Sequence, residues 1–277
     1  MGESQVEAPL SGASDRRRRL VKYHLMAIVE YDGTQYLGFQ VQGPAAGRRS
    51  GRTVQGEIES ALAEVTQRAV RIVAAGRTDA GVHASGQVIH LDVVWGHALP
   101  DLQRALNAVL PRDIAIRELR EAPPGFHARY SARSREYAYT IWNAPVRSPL
   151  HERYAQHCQR PLDAEAMDRA CQCLVGTRDF LPFGWPPHGD NTVRTVFRAR
   201  CRREGEQVLV EIEADAFLRS MVRRIVGNLI LVGYGDLSVE AFAGLLSLRH
   251  RRLPAVAAPA QGLTLVRVNY GVSTAFC

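Results

Sequence analysis

Three features of the sequence predict an α+β fold made of two similar halves. Apolar residues alternate with period two in several long runs, as half-buried strands do. Between residues 23 and 122 these runs interleave with two helical patterns in the order β-α-β-β-α-β, the split βαβ or ferredoxin-like unit. From 123 to 277 strands and helices alternate again. The chain therefore reads as two ferredoxin-like halves with antiparallel sheets. A cleft between such halves is a place where ligands commonly bind.

Residues 1–22 precede the first half and lack apolar periodicity, so they read as a disordered tail. The tail is basic, with Arg16, Arg17, Arg18, Arg19 and Lys22 against Glu3, Glu7 and Asp15. Tyr23 to Tyr31 is a β-rich run that ends at the turn signal Asp32-Gly33. Pro44 to Arg52 is a Gly/Pro/Arg loop. Thr53 is placed to cap a helix whose apolar face is Ile58, Ala61, Leu62 and Val65. Val70 to Ala74 and Gln87 to Val93 are the next two strands. Asp101 is expected to cap a helix bearing Leu102, Leu106, Val109 and Leu110, which Pro111 stops. Ile114 to Ile116 opens the fourth strand.

In the second half Glu136 to Trp142 alternates as a strand and Leu162 to Val175 is helical. Arg178 to Asn191, with Pro182, Gly184, Pro186, Pro187 and Gly189, is expected to be irregular. Val193 to Arg203 and Gln207 to Glu213 are strands around the turn at Glu204-Gly205. Ala216 to Gly233 reads as one long helix, Ser238 to Leu246 as another, and Gly262 to Tyr270 as the last strand.

The bulk numbers narrow the function. The chain has 277 residues, 46 % hydrophobic and 23 % charged, which suits a globular protein with a sizeable core. No apolar run reaches the length of a membrane span, and the N-terminus carries no apolar signal region, so the expected setting is the cytoplasm, away from membranes. The five cysteines are odd in number and unpaired in spacing, which argues against a disulfide framework. Cys171-Gln-Cys173 has no second Cys/His pair nearby, so reduced thiols and no metal site are expected. A net charge of +7 with clustered arginines points to a polyanionic partner, most simply nucleic acid.

The stretch richest in chemistry is Ala75 to Ala84, A-G-R-T-D-A-G-V-H-A, a tight loop between two strands. Gly76 and Gly81 permit positive φ or close approach of a ligand. Between them stand a cation, Arg77, a hydroxyl, Thr78, and a carboxylate, Asp79. Taken alone, Asp79-Ala80-Gly81 is most simply an Asx-turn in which the aspartate satisfies its own backbone.

A resemblance changes that reading. The segments Tyr31-Asp-Gly-Thr-Gln-Tyr-Leu-Gly-Phe-Gln40, Thr53-Val-Gln-Gly56 and Ala75 to His83 are joined by Leu106-Asn107, Leu110-Pro111 and Phe126-His-Ala-Arg-Tyr-Ser131. Then follow Arg135-Glu-Tyr-Ala-Tyr139, Asp179-Phe180 with Phe183, Val193-Arg-Thr195, Phe217-Leu-Arg-Ser-Met-Val-Arg-Arg-Ile-Val-Gly227 and Ala258-Pro-Ala-Gln-Gly-Leu263. In this order, from about residue 23 to 270, the chain resembles the tRNA pseudouridine synthases of the TruA type. Phe39 stands where that family has Trp, and the Pro44–Arg52 loop is longer and more basic than the family pattern.

The resemblance implies a pseudouridine synthase fold with a central RNA-binding cleft and an isomerase that needs no cofactor. It implies a uridine of the tRNA anticodon stem-loop, at positions 38, 39 and 40, as substrate, and a homodimer as the working form. It makes Asp79 the nucleophile, Tyr137 the residue that stacks on the base or removes a proton, and Arg223 the partner of Asp79. A carboxylate, with an unperturbed pKa of about 3.9, is already ionised at neutral pH. Bidentate pairing is the physical reason to expect Arg223 beside it. Spacing alone does not separate Tyr137 from Tyr139, which lies on the same strand face. Uridine within a stem must be flipped out to react, and Arg77 is placed to fill the vacated stack or hold phosphate. Arg194, Arg198, Arg200 and Arg202 alternate along one strand and are expected to share a face. With Arg48, Arg49, Arg249, Arg251 and Arg252 they would form a backbone-binding surface whose tRNA affinity falls steeply with salt. His83 and His127 are expected to make structural hydrogen bonds. The rival reading is a non-catalytic tandem ferredoxin-like RNA-binding protein, but the aromatic pattern such modules use for base stacking is absent from the sequence.

Overall fold

A computed structural model describes residues 20–41, 51–186, 189–250, 253–254 and 256–271. The arginine run 16–19, Arg48, Arg49, Arg251 and Arg252 lie outside the described residues.

The first half runs β1 (Val21–Tyr31), α1 (Val54–Thr66), β2 (Ile72–Ala74), β3 (His83–Trp95), α2 (Leu99–Val109) and β4 (Ile114–Glu121). The second half runs β5 (Ser134–Asn143), β6 (Gln156–Cys158), α3 (Ala164–Gln172), β7 (Gly176–Asp179), β8 (Val193–Glu204), β9 (Gln207–Ala214), α4 (Met221–Gly233), α5 (Val239–Leu245) and β10 (Leu263–Asn269). Strand neighbours follow β4-β1-β3-β10-β5-β9-β8-β7, with β2 on β3 and β6 on β5. Each half thus carries the split-βαβ order: β4-β1-β3-β2 in the first and β10-β5-β9-β8 in the second. The halves meet where β10 runs parallel to the start of β3, Thr264 opposite His83 and Leu265 opposite Ala84. Both sheets therefore join into one.

The junction falls at the end of β3 nearest the loop that holds Asp79. β2 occupies the same edge of β3 only at Leu91, His90 and Ile89. Beyond that the loop swings away and β10 takes the vacant edge, so the second half docks beside the loop.

Helices cover the sheet because their apolar stripes match its apolar rows. Ile58 and Leu62 of α1 and Leu102 and Leu106 of α2 are buried with Leu25, Ala27 and Val29 of β1. The register sets Leu25 opposite Leu91 and Ala27 opposite Ile89, which keeps that row continuous across β3. Each such aliphatic side chain contributes roughly 1.5–3 kcal/mol by leaving water. Ile225, Val226, Leu229 and Ile230 of α4 do the same in the second half with Val208, Val210 and Ile212 of β9. Gly227 permits a further close approach: a Cβ there would lie 2.1 Å from the Val256 carbonyl oxygen. The extended segment around Ala258 can therefore lie against α4.

Several boundaries differ from those read in the sequence. β1 starts at Val21, so Val21 and Lys22 belong to the strand and not to the tail. α2 begins at Leu99 after Ala98, with Asp101 in its first turn; Pro100, which needs no N–H partner, opens the helix early. α3 is shorter than Leu162–Val175 because the Asp163 carboxylate caps it by accepting from Ala166 N. The region 178–191 holds the end of a short strand and a 3-10 turn, Leu181–Phe183. The largest difference is at 216–220, which is not helical: α4 starts only at Met221.

Four of the cysteines are described, and all four are free thiols, Cys158, Cys171 and Cys201 buried. Among the described residues no cluster of His, Cys, Asp or Glu could hold a metal ion, and no helix is long and apolar enough to cross a membrane.

Candidate active site

Asp79 stands at the head of a β-turn. Val82 N donates to the Asp79 carbonyl at 3.2 Å, and Gly81 supplies the positive φ of 78° that the turn requires. The rest of the loop is fixed to the first half through its backbone. Phe39 N donates to the Thr78 carbonyl at 3.2 Å, and Gly81 N to the Tyr36 carbonyl at 3.3 Å. The Gln87 amide donates to the Gly76 carbonyl at 2.9 Å. Thr78 is buried, its hydroxyl 2.8 Å from that of Tyr31. Burial pushes the Tyr31 hydroxyl up to about 12, so it remains a neutral partner. With its backbone so occupied, the loop presents one charged side chain to the second half.

The Asp79 carboxylate does not bond its own turn; its partners come from the second half. The Ser220 hydroxyl donates to Oδ2 at 3.1 Å, and Nη1 of Arg223 lies 3.6 Å from the same oxygen. The Asp79 side chain keeps 32 % exposure and Arg223 21 %, so the carboxylate is reachable yet partly shielded. The pairing with Arg223 is single, not bidentate, because Nε of Arg223 is already donated to the Ala258 carbonyl at 2.7 Å. Ala258 N in turn donates to the Arg223 carbonyl at 2.9 Å, which locks the side chain to the segment that Gly227 admits. Ser220 and Arg223 both lie at the N-terminus of α4, whose dipole adds to the positive environment of the carboxylate.

Tyr137 reaches the same place from β5. It is buried, its ring edge-on to Phe217 with centroids 5.0 Å apart. Burial raises its pKa first, and the negative charge of Asp79 adds to the rise. Tyr139, two residues on, is engaged elsewhere. Its hydroxyl meets the Pro259 carbonyl and Gln156 Oε1, each at 2.9 Å, and it is fully buried. Both tyrosines are buried in the core, and the Asp79 charge acts on Tyr137.

Arg77 is exposed, on the loop two residues before Asp79, and its guanidinium has no partner among the described residues. Arg194 does not share a face with Arg198, Arg200 and Arg202. A bulge between Val196 and Arg198 inverts the alternation, and Arg194 turns to the carbonyls of Asn191 and Val193. The other three are not free charges. Arg198 pairs with Glu136, Arg200 with Glu211 at 2.7 Å, and Arg202 with Glu204 and Glu211. Arg249 lies 3.3 Å from Asp179. The two histidines have structural partners: His83 Nδ1 accepts from Gly33 N at 3.1 Å, and His127 Nδ1 accepts from Arg129 N and Tyr130 N at 3.2 Å each.

Two residues at the site were not singled out by sequence reasoning. Ser220 lies within the family segment Phe217 to Gly227 but inside what reads as a continuous helix, so no role attaches to it there. Arg135 stands in the sequence reading only as the first residue of the family segment Arg135 to Tyr139, with no role attached. Its guanidinium donates to the carbonyls of Ala75 at 3.0 Å, Arg129 at 2.8 Å and Asp215 at 2.8 Å. It thus ties the start of the Asp79 loop to the end of β9.

The arrangement is a carboxylate and a shielded guanidinium brought together from both halves, with a buried tyrosine that feels the carboxylate's charge and an exposed arginine two residues before it on the loop. The family model described as tRNA pseudouridine synthase matches residues 27–131 and 170–271, which include Arg77, Asp79, Ser220 and Arg223. A relative from Roseiflexus castenholzii named tRNA pseudouridine synthase A is 46 % identical over 246 residues, covering 87 % of this chain and 88 % of the relative. A relative of the same name from Chloroflexus aurantiacus is 45 % identical over 248 residues, 88 % of this chain and 87 % of its own. One from Klebsiella pneumoniae is 41 % identical over 243 residues, 87 % and 88 % of the two chains. With the match running through both halves and through the loop and helix that meet at Asp79, this chain belongs to the tRNA pseudouridine synthase family.

Proposed function

We propose that this protein isomerises uridine to pseudouridine in the anticodon stem-loop of tRNA, at positions 38, 39 and 40, with Asp79 as the nucleophile. The observation that carries the assignment of Asp79 is its place: a loop of the first half delivers it, and Ser220 and Arg223 of the second half receive it. In the reaction the C1′–N1 glycosidic bond breaks, the uracil turns, and C1′ joins C5. N1 ends with a proton and C5 loses one, so substrate and product are isomers and no oxidant or energy carrier is consumed.

The side chains divide the work. Asp79 acts against the sugar, and Arg223 sets a positive charge 3.6 Å from its Oδ2. Tyr137 offers its ring to the uracil as it turns. Its raised pKa keeps the hydroxyl protonated at neutral pH, so it favours stacking and hydrogen bonding over action as a tyrosinate base. Arg77 enters the stack that the flipped nucleotide leaves, or holds its phosphate. Residues 23–122 supply the catalytic loop and residues 123–277 supply Tyr137 and Arg223. Arg48 and Arg49 belong to the outer RNA contacts. The working form is a cytoplasmic homodimer that takes one tRNA across both subunits.

The test is tritium release from tRNA labelled at uracil C5. The protein is expected to release tritium, and Asp79→Asn to release none at the same tRNA saturation. Absence of release by the unaltered protein would overturn the activity. Full release by Asp79→Asn would overturn the role of Asp79 alone. Arg77→Ala is expected to lose activity on folded tRNA; unchanged turnover there would remove Arg77 from base flipping.

A further inference from the structure

Ser220 is the N-cap of α4, yet its hydroxyl makes no capping bond to the helix. N-cap serines ordinarily accept from the N–H two or three residues on. Here the hydroxyl crosses instead to Asp79 Oδ2 at 3.1 Å, joining residues 141 positions apart. The backbone adopts a left-handed conformation to do so, with φ 61° and ψ 11°. Among the described residues only one other non-glycine residue has positive φ, Gln67, which closes α1 as a C-cap. Ser220 has no such helix-ending reason.

The surroundings hold that conformation. Arg219 N donates to the Trp185 carbonyl at 2.8 Å in an isolated antiparallel bridge. Met221 N donates to the Leu218 carbonyl at 3.2 Å, and Arg224 N to the Ser220 carbonyl at 3.0 Å. The turn at 218–221 is thus fixed on both sides of Ser220, which aims its hydroxyl across the seam between the two halves. Both second-half partners of Asp79 engage one oxygen, Oδ2. Oδ1 meets no protein partner among the described residues.

We infer that Ser220 is a positioning residue for Asp79: it holds Oδ2, with Arg223, so that Oδ1 is the oxygen presented to the nucleotide. The inference rests on the reading of Asp79 as catalytic. The strained turn is built to place a hydrogen-bond donor, and the orientation of the carboxylate follows from that donor.

The informative variant is Ser220→Gly. Glycine accepts the positive φ without a Cβ penalty and serves as an N-cap nearly as well as serine, so the fold is retained. Only the hydroxyl is lost. A hydrogen bond to a charged group that orients a reacting atom corresponds to a rate loss on the order of tenfold or more. The expected result is a fall of that size in kcat for tritium release, with KM for tRNA and tRNA affinity unchanged. Ser220→Asn, which tolerates the left-handed conformation and restores a donor, should recover part of the loss. A wild-type kcat in Ser220→Gly, while Asp79→Asn is inactive, would overturn the role of Ser220 and leave Asp79 standing. A loss confined to KM or to tRNA affinity would equally overturn it, since that would make Ser220 an RNA contact. Turnover by Asp79→Asn would overturn both readings together.

Discussion

Arg135→Met removes a guanidinium that leans on carbonyl oxygens from three parts of the chain, and its cost can be worked from the contacts. Three lie at 2.8–3.0 Å, to Ala75, Arg129 and Asp215, and a fourth, to Ala132, is at 3.4 Å. Hydrogen bonds from a charged donor are worth about 1.5–3 kcal/mol each, or roughly 5–9 kcal/mol for the three short ones. Against this stands the loss of hydration of the guanidinium, several kcal/mol in a partly dry site. That burial also lowers the Arg135 pKa from its usual value. A net loss of about 3 kcal/mol remains, because methionine fills the volume but leaves the three carbonyls to find water. For a chain of this size that corresponds to a melting temperature lower by roughly 6–12 °C. The release of Ala75 should also loosen the Asp79 loop, so tritium release measured well below the melting point should fall by more than the unfolded fraction explains. Thermal unfolding followed by circular dichroism, with activity at 25 °C on the same sample, reads both. A variant that melts within about 2 °C of the parent and turns over at its rate would refute the view that Arg135 ties the loop to β9.

Two further substitutions test the loop and the tyrosine. At Gly33 a Cβ would sit 2.0 Å from the Val82 carbonyl oxygen, backbone that cannot swing aside; Gly33→Ala should therefore cost about 1–3 kcal/mol, lower the melting temperature, and reduce kcat through the displaced Asp79 turn. An unchanged melting curve would show that the contact relaxes freely. Tyr137→Phe tests the hydroxyl. Because burial and neighbouring negative charge raise the Tyr137 pKa, its proton stays on as pH rises from 7 to about 10. The pH–rate profiles of the parent and the variant should therefore have the same shape over that range, and a rising alkaline limb lost only in the variant would make Tyr137 a tyrosinate base.

Much of the fold was legible because strands and helices write their periods into the chain. The β-rich run Tyr23 to Tyr31 and the stripe Ile58, Ala61, Leu62 and Val65 could be read as a strand and the face of a helix. The order of elements in the first half followed from those patterns. What escaped was set by contacts between distant residues. β6, three residues long, exists by pairing with β5, and β7 by pairing with β8. Neither has length enough to show a period. The parallel contact of β10 with β3 involves two residue pairs, yet it determines that both halves share one sheet. The bulge at Val196–Arg198 likewise leaves no mark in the alternation, and it moved Arg194 off the face where its spacing put it.

The site divides in the same way. Asp79 in isolation was best read as a turn former, and it does head a turn, but through its backbone carbonyl and not through its carboxylate. That difference frees the side chain for Ser220 and Arg223, and no local pattern could have announced it. Ser220 hides for a more instructive reason. The run from Ala216 to Gly233 has helical composition throughout, and a helix begun at Ala216 would have carried Ser220 in its interior. The left-handed turn prevents this at a cost of roughly 1–2 kcal/mol, set against the bridge from Arg219 to Trp185. A local preference is overruled where the two halves meet, beside the carboxylate. Strain kept at such a place is an argument for function, since a helix starting a turn earlier would satisfy the sequence but would leave Asp79 without its hydroxyl partner.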